Sequence, residues 1–239
     1  MKVDVCFSPA LYPYYSENDN QKIVVVVDIF RATTTMCAAL NNGARCIIPV
    51  ASIEEAKEYK TKGYLVGAER NVKRCDFADF GNSPFDYTKE AVQGKDVVFT
   101  TTNGTQAIEK ARNAEYLIIG AFSNISAIAE FCSSRQKDVI VLCAGWNNRF
   151  NIEDSLFGGA LSALLAQKGY QTSFDATLVA MSMWAEAKVN VRDYINKTEH
   201  IKRLEANNLQ DSVDYCLSEN TINKVPVYDR ETGKITIVS

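Results

Sequence analysis

Short runs of β-branched and aliphatic residues alternate with helical patterns along the first two thirds of the chain. The runs predict strands at 2–7, 23–28, 45–49, 64–67, 96–101, 115–119 and 138–143. The segments between them predict helices at 33–42, 52–62, 85–92, 104–112, 124–133 and 152–168. Such alternation is typical of a layered α/β/α fold, and we expect its sheet to be mainly parallel or mixed.

The last third of the chain is richer in helix. After "KGYQ" at 168–171 the region to about 220 reads as nearly all helix, and the final "KVPVYDRETGKITIVS" predicts a strand, a turn and a strand. Because no low-complexity linker interrupts the 239 residues, we predict a single domain over 1–239, with subdomains of about 1–95 and 96–239 as the alternative. Segments 24–56 and 96–128 share an order of strand, threonine-rich loop, helix and strand, which suggests an internal duplication of a strand-helix-strand unit.

Charge and hydropathy exclude several classes of partner. A net charge of −3 gives no basic footprint, so we expect no nucleic-acid partner. No apolar run approaches the roughly 20 residues that span a bilayer, and "MKVDVCFSPA" lacks the hydrophobic region of a secretory signal, so we expect no membrane association. The seven cysteines include no C-x-x-C pair, which favours reduced thiols in a cytoplasmic protein.

The chain contains a single histidine, His200, so histidine triads and paired-histidine metal sites would have to use it or do without. It falls in a polar helical stretch, and we expect it to be a surface or structural residue rather than a catalytic one. A metal in this chain is expected to be a hard ion such as Mg²⁺ held by oxygen ligands. The hydrophobic segment 176–187 could serve either the core or a homodimer interface.

Polar side chains follow several predicted strands at the point where each strand ends. In open α/β sheets, ligands bind beyond the carboxyl ends of the strands, where loops lead into helix N-termini. The strand-end residues are Asp28, Arg31, Thr33, Thr34, Thr35, Glu69, Arg70, Thr101, Thr102, Asn103, Gly104, Thr105, Arg149, Glu153 and Asp154. Asp28 is the hardest to explain structurally, because a carboxylate that closes a buried apolar run needs a partner or a function.

This mixture of residues suits a phosphorylated anionic ligand with a metal. Helix N-termini bind phosphate through free N–H groups, arginine binds planar anions in a bidentate manner, and carboxylates hold Mg²⁺. A purely structural interpretation also stands for most of them. Thr33 to Thr35 and Asn151 could be helix caps, the Asn103–Gly104 pair is a turn signal, and Ser83 with Pro84 is a typical helix start.

Two phosphatase motifs match only in part. "DIFRATTT" is similar to the Asp-x-Asp-x-Thr loop of haloacid dehalogenase-type phosphatases, but Phe30 stands where the second aspartate would act as acid and base. "CAGWNNR" has the Cys-x5-Arg spacing of cysteine-dependent phosphatases, in a match short enough to arise by chance. Neither a G-x-x-x-x-G-K-[ST] nor a G-x-G-x-x-G motif is present, so nucleotide-dependent phosphoryl transfer has no support.

The chain resembles the 2-phosphosulfolactate phosphatase family from residue 23 to 226, in segments that occur in the family's order. The segments are "VVVDIFRATTTM", "GAER", "DFGNSP", "TTNGTQAI", "LCAGWNNRFNIED" and "DYCLSENTINKVP". The resemblance implies an α/β enzyme that hydrolyses (2R)-phospho-3-sulfolactate to 3-sulfolactate and phosphate with Mg²⁺, a step of coenzyme M biosynthesis in methanogens. The motif positions it carries over are Asp28, Arg31, Glu69, Arg70, Asn82, Thr101, Asn103, Gly104, Glu153 and Asp154.

The strand-end positions and the resemblance together give three groups of predicted site residues. The predicted catalytic residues are Asp28, Arg31, Glu69 and Asp154. The predicted phosphate- or substrate-binding residues are Thr33, Thr34, Arg70, Asn82, Ser83, Thr101, Thr102, Asn103, Gly104, Thr105, Gly145 and Arg149. The predicted Mg²⁺ ligands are Asp28, Glu69, Glu153 and Asp154.

Two routes of hydrolysis fit these residues. Asp28 could attack phosphorus to form an aspartyl-phosphate, or a metal-bound water could attack directly. Two other functions use similar parts: a Mg²⁺-dependent lyase or isomerase acting on a phosphorylated hydroxy acid, and a non-catalytic protein that binds a phosphorylated ligand.

Overall fold

The structure is a computed structural model that describes residues 1–237. The strands are β1 (Val3–Cys6), β2 (Ile23–Val27), β3 (Cys46–Pro49), β4 (Leu65–Arg70), β5 (Lys73–Arg74), β6 (Asp96–Thr100), β7 (Tyr116–Gly120), β8 (Val139–Cys143), β9 (Pro226–Asp229) and β10 (Lys234–Ile237). The α-helices are α1 (Ala32–Asn41), α2 (Ile53–Thr61), α3 (Lys89–Val92), α4 (Gly104–Ala111), α5 (Ile125–Arg135), α6 (Ile152–Gln167), α7 (Asp175–Ala187), α8 (Val191–Ile195), α9 (Glu199–Ala206) and α10 (Val213–Leu217).

The predicted strands and the C-terminal hairpin are confirmed, with ends displaced by a few residues. The predicted continuous helix at 85–92 is wrong: a 3₁₀ turn at Pro84–Asp86 is followed by the single turn of α3. The cause is Tyr87, whose ring is fully buried and whose hydroxyl donates to the carbonyl oxygen of Gly81 at 2.8 Å. This tertiary contact holds Tyr87 outside helical geometry.

The ten strands form one mixed sheet in the order β1-β8-β2-β7-β9-β10-β3-β6-β4-β5. One block of parallel strands comprises β1, β8, β2 and β7, and a second comprises β3, β6 and β4. The C-terminal hairpin β9–β10 joins the two blocks through antiparallel pairs. The predicted layered α/β fold with a mainly parallel or mixed sheet is therefore confirmed.

Two strand-helix-strand units cross between the parallel blocks. The first is β2–α1–β3 and the second is β6–α4–β7, so each unit begins in one block and ends in the other. The two units coincide with the repeated segments seen in the sequence. Helices α1 and α4 pack together in a buried core that includes Met36 and Ile108, with apolar side chains from both blocks around them.

The remaining helices cover the outer faces of the sheet. A second core lies between the first block and the helices α5, α6 and α7, and a smaller third core lies between the second block and α2. Strand β2 is buried along its whole length because both of its faces are covered, which explains its uninterrupted run of β-branched residues. None of the helices in residues 1–237 has the length and apolarity that a bilayer crossing requires.

Candidate active site

The loop that follows β2 is shaped by threonine hydroxyls. The backbone N–H of Asp28 donates to Oγ1 of Thr33 at 2.9 Å, and that hydroxyl donates to the carbonyl oxygen of Asp28 at 3.0 Å. The hydroxyl of Thr34 donates to the carbonyl oxygen of Ile29 at 3.0 Å. Both threonines are fully buried. Their side chains therefore fix the turn from strand to helix, and their predicted contact with substrate stays a prediction.

The carboxylate of Asp28 lies where the N-termini of α1 and α4 meet. Its Oδ1 accepts from the N–H of Ala32, the first residue of α1, at 3.4 Å. Gly104 is the first residue of α4, and a Cβ built there would lie 2.9 Å from Oδ2 of Asp28 and 2.6 Å from Cβ of Ala32. Only glycine lets the start of α4 approach this closely. Two helix N-termini, each a favourable location for an anion, thus converge on one carboxylate.

Asp154 ties this loop to the loop after β8. Its Oδ1 accepts from the N–H of Ile29 at 2.8 Å, and its Oδ2 accepts from the N–H of Gly145 at 3.0 Å and from Nδ2 of Asn151 at 2.9 Å. Burial, and then the nearby Asp28 carboxylate, raise the pKa of Asp154. Both oxygens accept hydrogen bonds from N–H donors, so Asp154 links the loop after β2 to the loop after β8.

Glu153 pairs with the single histidine. Nδ1 of His200 lies 2.5 Å from Oε1 of Glu153, and the histidine ring packs edge-on against Phe30 with ring centres 5.6 Å apart. His200 is only 5% exposed, so of the two expected locations the surface is wrong, and its burial against Glu153 fits the other, a structural residue. The reason is that α9 folds back over the start of α6. Oε2 of Glu153 and Nε2 of His200 have no hydrogen-bond partner among the described residues.

Glu69 joins the loops after β4 and β6. Its Oε1 accepts from the N–H of Val72 at 2.5 Å and from the hydroxyl of Thr102 at 3.1 Å, and its Oε2 accepts from the N–H of Thr102 at 3.4 Å. The neighbouring Arg70 donates to Oγ1 of Thr100 at 2.9 Å and to the carbonyl oxygen of Glu69 at 2.6 Å. This pair of predicted site residues therefore stabilises the loops around the centre.

Arg31 is a buried cation whose charge is balanced by few hydrogen bonds and by no ion pair in the described part of the chain. It is 3% exposed, and its Nη1 donates to Oγ of Ser212 at a long 3.4 Å. It forms no ion pair in the described part of the chain. Burial lowers the pKa of Arg31, and nearby groups, Cys216 and then Glu69 foremost, oppose that change. A guanidinium in this state is available to an anionic ligand.

The other predicted binding residues lie around this centre. Thr101 and Thr105 bond mainly to each other, while Oδ1 of Asn103 accepts from the N–H of Asn147 at 2.9 Å and so joins the loops after β6 and β8. Gly145 has a φ of +61°, and a Cβ there would lie 2.1 Å from the carbonyl oxygen of Arg149.

Three more predicted binding residues make few side-chain contacts. Oδ1 of Asn82 is buried without a partner among the described residues, and the Ser83 side chain makes no capping bond. Arg149 is exposed.

The four carboxylates from which the Mg²⁺ ligands are predicted differ in how many of their oxygens are already hydrogen-bonded, and their role as ligands stays a prediction. Within residues 1–237 there is no group of three or more histidine, cysteine, aspartate or glutamate side chains positioned to hold one ion. Asp154 and Glu69 use both of their oxygens for N–H and O–H donors. Oδ2 of Asp28 and Oε2 of Glu153 accept no hydrogen bond from the described residues. Mg²⁺ commonly takes one or two carboxylates and completes its shell with water and substrate phosphate, so these two oxygens are the donors that would remain for it.

The cysteine-dependent alternative does not fit the geometry. Cys143 is the last residue of β8 and is fully buried, and that burial raises the pKa of its thiol well above the usual value. A protonated thiol inside the core cannot attack a phosphate. All seven cysteines are free thiols in the structure, as the sequence predicted.

Sequence reasoning missed His200, and also missed Asn151 as the donor that joins Glu153 to Asp154. His200 is separated from Glu153 by 47 positions, so no local spacing links them. The one available signal was that a lone histidine stands in a chain whose candidate site lacks a base other than carboxylates.

A layered α/β fold with a buried carboxylate at two helix N-termini, and a buried arginine that forms no ion pair within residues 1–237, is an arrangement typical of proteins that bind phosphorylated anions. Comparison with known proteins agrees with this class. A sequence profile described as 2-phosphosulpholactate phosphatase matches residues 7–231.

Relatives that match over most of their length carry the same description. A protein of Thermotoga maritima named "Probable 2-phosphosulfolactate phosphatase" is 40% identical over 206 residues, covering 86% of this chain and 88% of that protein. Proteins with the same name from Caldanaerobacter subterraneus and Clostridium beijerinckii are 36% identical over 220 residues and 33% identical over 240 residues, and cover 89% and 99% of this chain and 91% and 99% of their own lengths. The chain belongs to the 2-phosphosulfolactate phosphatase family, whose members are hydrolases of a phosphate monoester, so the resemblance seen in the sequence is confirmed.

Proposed function

We propose that this protein is a Mg²⁺-dependent phosphatase that hydrolyses 2-phosphosulfolactate to sulfolactate and inorganic phosphate. The observation that carries the proposal is the position of Asp28, a buried carboxylate at the meeting point of two helix N-termini, with one oxygen that accepts no hydrogen bond from residues 1–237. The substrate is taken from the names of the relatives, and the metal from the two carboxylate oxygens, on Asp28 and Glu153, that accept no hydrogen bond from the described residues.

The substrate phosphate would lie against the first N–H groups of α1 and α4. Their backbone dipoles favour its negative charge, and the absence of a side chain at Gly104 lets the start of α4 approach Asp28 and Ala32 closely. Arg31 would donate to a phosphate oxygen or to a second anionic group, and would replace its long bond to Ser212 with a charge-assisted one. When bound, Mg²⁺ supplies a positive charge that neutralises the phosphate oxygens.

Hydrolysis breaks the bond between phosphorus and the ester oxygen, adds one water, and leaves the alcohol and inorganic phosphate. Two routes use the same geometry. Either Asp28 attacks phosphorus with its free Oδ2, or it orients a water that attacks. Borohydride treatment of enzyme quenched during turnover distinguishes them, because an aspartyl-phosphate at position 28 would be reduced to homoserine, whereas direct attack by water leaves Asp28 unmodified.

The test of the proposal is phosphate release from 2-phosphosulfolactate, measured with Mg²⁺ and again after chelation. Release that requires Mg²⁺ supports the proposal. Conversion of the ester without free phosphate would instead support a lyase or isomerase. Binding without any conversion would support a non-catalytic ligand-binding role.

A further inference from the structure

A cavity of about 460 Å³ opens beside the Glu153–His200 pair. Its lining comes from two separate parts of the chain, the loop between β8 and α6 and the start of α9. The lining residues that matter here are Trp146, Arg149, Glu153, Lys197, His200 and Arg203. The volume is in the range of small-ligand sites.

The cavity holds more positive charge than its own carboxylates compensate. Arg149, Lys197 and Arg203 line it, against Glu153, which is engaged with His200, and Glu199. The ion pair between Arg203 and Glu199 is long, at 3.9 Å, and the Glu199 side chain is 89% exposed, so it contributes little. Nε of Arg203 is buried and has no hydrogen-bond partner among the described residues.

The central cation of the cavity is held in a fixed orientation. The guanidinium carbon of Arg203 lies 4.1 Å from the centre of the Trp146 ring, which is a stacked cation–π arrangement. The backbone of Trp146 exchanges two hydrogen bonds of 2.9 Å with that of Arg149, and the next residue, Asn147, bonds to Asn103 beside the N-terminus of α4. A stacked guanidinium loses little entropy when it binds a planar or trigonal anion.

The cavity is also coupled to the Asp28 centre through one buried pair. His200 lines the cavity and packs on Phe30 of the β2 loop, and its Nε2 is a buried polar atom without a partner among the described residues. Glu153 also lines the cavity, and the next residue, Asp154, accepts from the N–H of Ile29 beside Asp28. A ligand with its phosphate at Asp28 would extend past this pair toward Arg203.

We propose that this cavity is a subsite for a second anionic group of the substrate, a sulfonate or a carboxylate, and that Arg203 stacked on Trp146 determines the specificity for it. The inference rests on the proposed phosphatase function and deepens it. The cavity would select phosphomonoesters that carry a further anion on a short carbon skeleton.

The experiment compares kcat/KM for three esters: 2-phosphosulfolactate, 2-phospholactate, which lacks the sulfonate, and 2-phosphooxyethanesulfonate, which lacks the carboxylate. We expect Arg203→Met to lower kcat/KM by roughly tenfold to a hundredfold more for the esters that carry the recognised anion than for the ester that lacks it. A selective loss for the two sulfonates identifies a sulfonate subsite, and one for the two carboxylates identifies a carboxylate subsite.

Lys202→Met is the matched control, because Lys202 is the exposed neighbour of Arg203 on α9 and lies outside the cavity lining. It should leave the ratios among the three esters unchanged. Arg203→Lys keeps the charge without the planar fork, should give an intermediate loss, and serves as the test if Arg203→Met fails to fold. An equal effect of the Arg203 variants on all three esters would overturn the inference.

Failure of the proposed function has a different signature. If the wild-type protein hydrolyses none of the esters, the phosphatase proposal fails and the cavity is tested by calorimetry with sulfolactate and lactate. Binding of either compound by the wild type and by Lys202→Met, but not by Arg203→Met, would still support an anion subsite. Equal binding by all three proteins, or none, would overturn it.

Discussion

Replacement of Gly104 by alanine tests the convergence of the two helix N-termini on Asp28. The new Cβ would lie 2.6 Å from Cβ of Ala32 and 2.9 Å from Oδ2 of Asp28. The carboxylate can rotate away from the new methyl group, but Cβ of Ala32 is fixed to the backbone of α1. Alanine therefore forces either α4 away from α1 or the Asp28 carboxylate out of its position.

Two contributions to stability oppose each other in this variant. Overpacking costs about 1–3 kcal/mol, whereas the higher helix propensity of alanine returns at most about 1 kcal/mol. We expect a net loss of roughly 1–2 kcal/mol, which lowers Tm by roughly 2–8 °C in a chain of this length. Because a displacement of about 1 Å at a reacting group can lower the rate about a hundredfold, kcat should fall more than stability alone would suggest.

The assay combines a thermal unfolding curve with kcat for phosphate release. Lys110→Ala, at an exposed position of the same helix, is the control for a change of helix propensity without a steric conflict. A Gly104→Ala protein that is as stable as the wild type and turns over at the same rate would refute the close approach of α4 to Asp28.

Three further predictions follow from the buried charges of the site. Arg31→Met should lower kcat/KM at least roughly tenfold. Tm should stay unchanged or rise, because the variant removes a buried cation that has no ion pair among the described residues. A lower Tm with unchanged kinetics would contradict a ligand-binding role. Asp154→Ala leaves three N–H donors without their acceptor and should lower the free energy of unfolding by roughly 3–5 kcal/mol. A loss under about 1 kcal/mol in a denaturant titration would show that Asp154 does not hold the two loops together. Burial raises the pKa of Asp28 and of Asp154, so between about pH 4 and neutral pH these two carboxyls bind more protons in the folded metal-free protein than in the unfolded chain. The free energy of unfolding should therefore fall as pH rises, by up to about 1.4 kcal/mol per pH unit for each carboxyl. A free energy of unfolding that rises with pH in Mg²⁺-free buffer would contradict those shifts.

The central parts of the fold follow from local sequence patterns. The run "IVVVV" predicts a strand buried on both faces, and β2 is such a strand. Ser52 stands at the start of the helix predicted over 52–62, and its hydroxyl accepts from the N–H of Glu55 at 3.1 Å, as a helix cap does. In both cases the residues that determine the structure lie within a few positions of one another.

The features that escaped prediction depend on distant contacts. The hairpin β9–β10 joins the two parallel blocks through pairs such as Ile118 with Val227, and nothing near either residue specifies that pairing. The helix predicted at 85–92 gives way because burial of the Tyr87 ring outweighs helix propensity. His200 contacts Glu153 only through the tertiary fold, because 47 positions separate the two residues.

In the candidate site, too, the features set by local sequence were predictable and those set by distant contacts were not. The sequence correctly placed carboxylates and amides at strand ends, because the position follows from the alternation of strands and helices. It could not separate Asp28, which keeps a free oxygen, from Asp154, which does not. That difference depends on which N–H groups the folded loops bring to each carboxylate.

The most direct test of the account is the rate of inorganic phosphate release from 2-phosphosulfolactate by the wild-type protein and by Asp28→Asn, both with Mg²⁺. The asparagine is nearly isosteric and should preserve the fold, so the account predicts release by the wild type and a loss of several orders of magnitude in kcat for the variant. Equal rates in the two proteins would contradict the central role of Asp28. No release by the folded wild-type protein would contradict the proposed function itself.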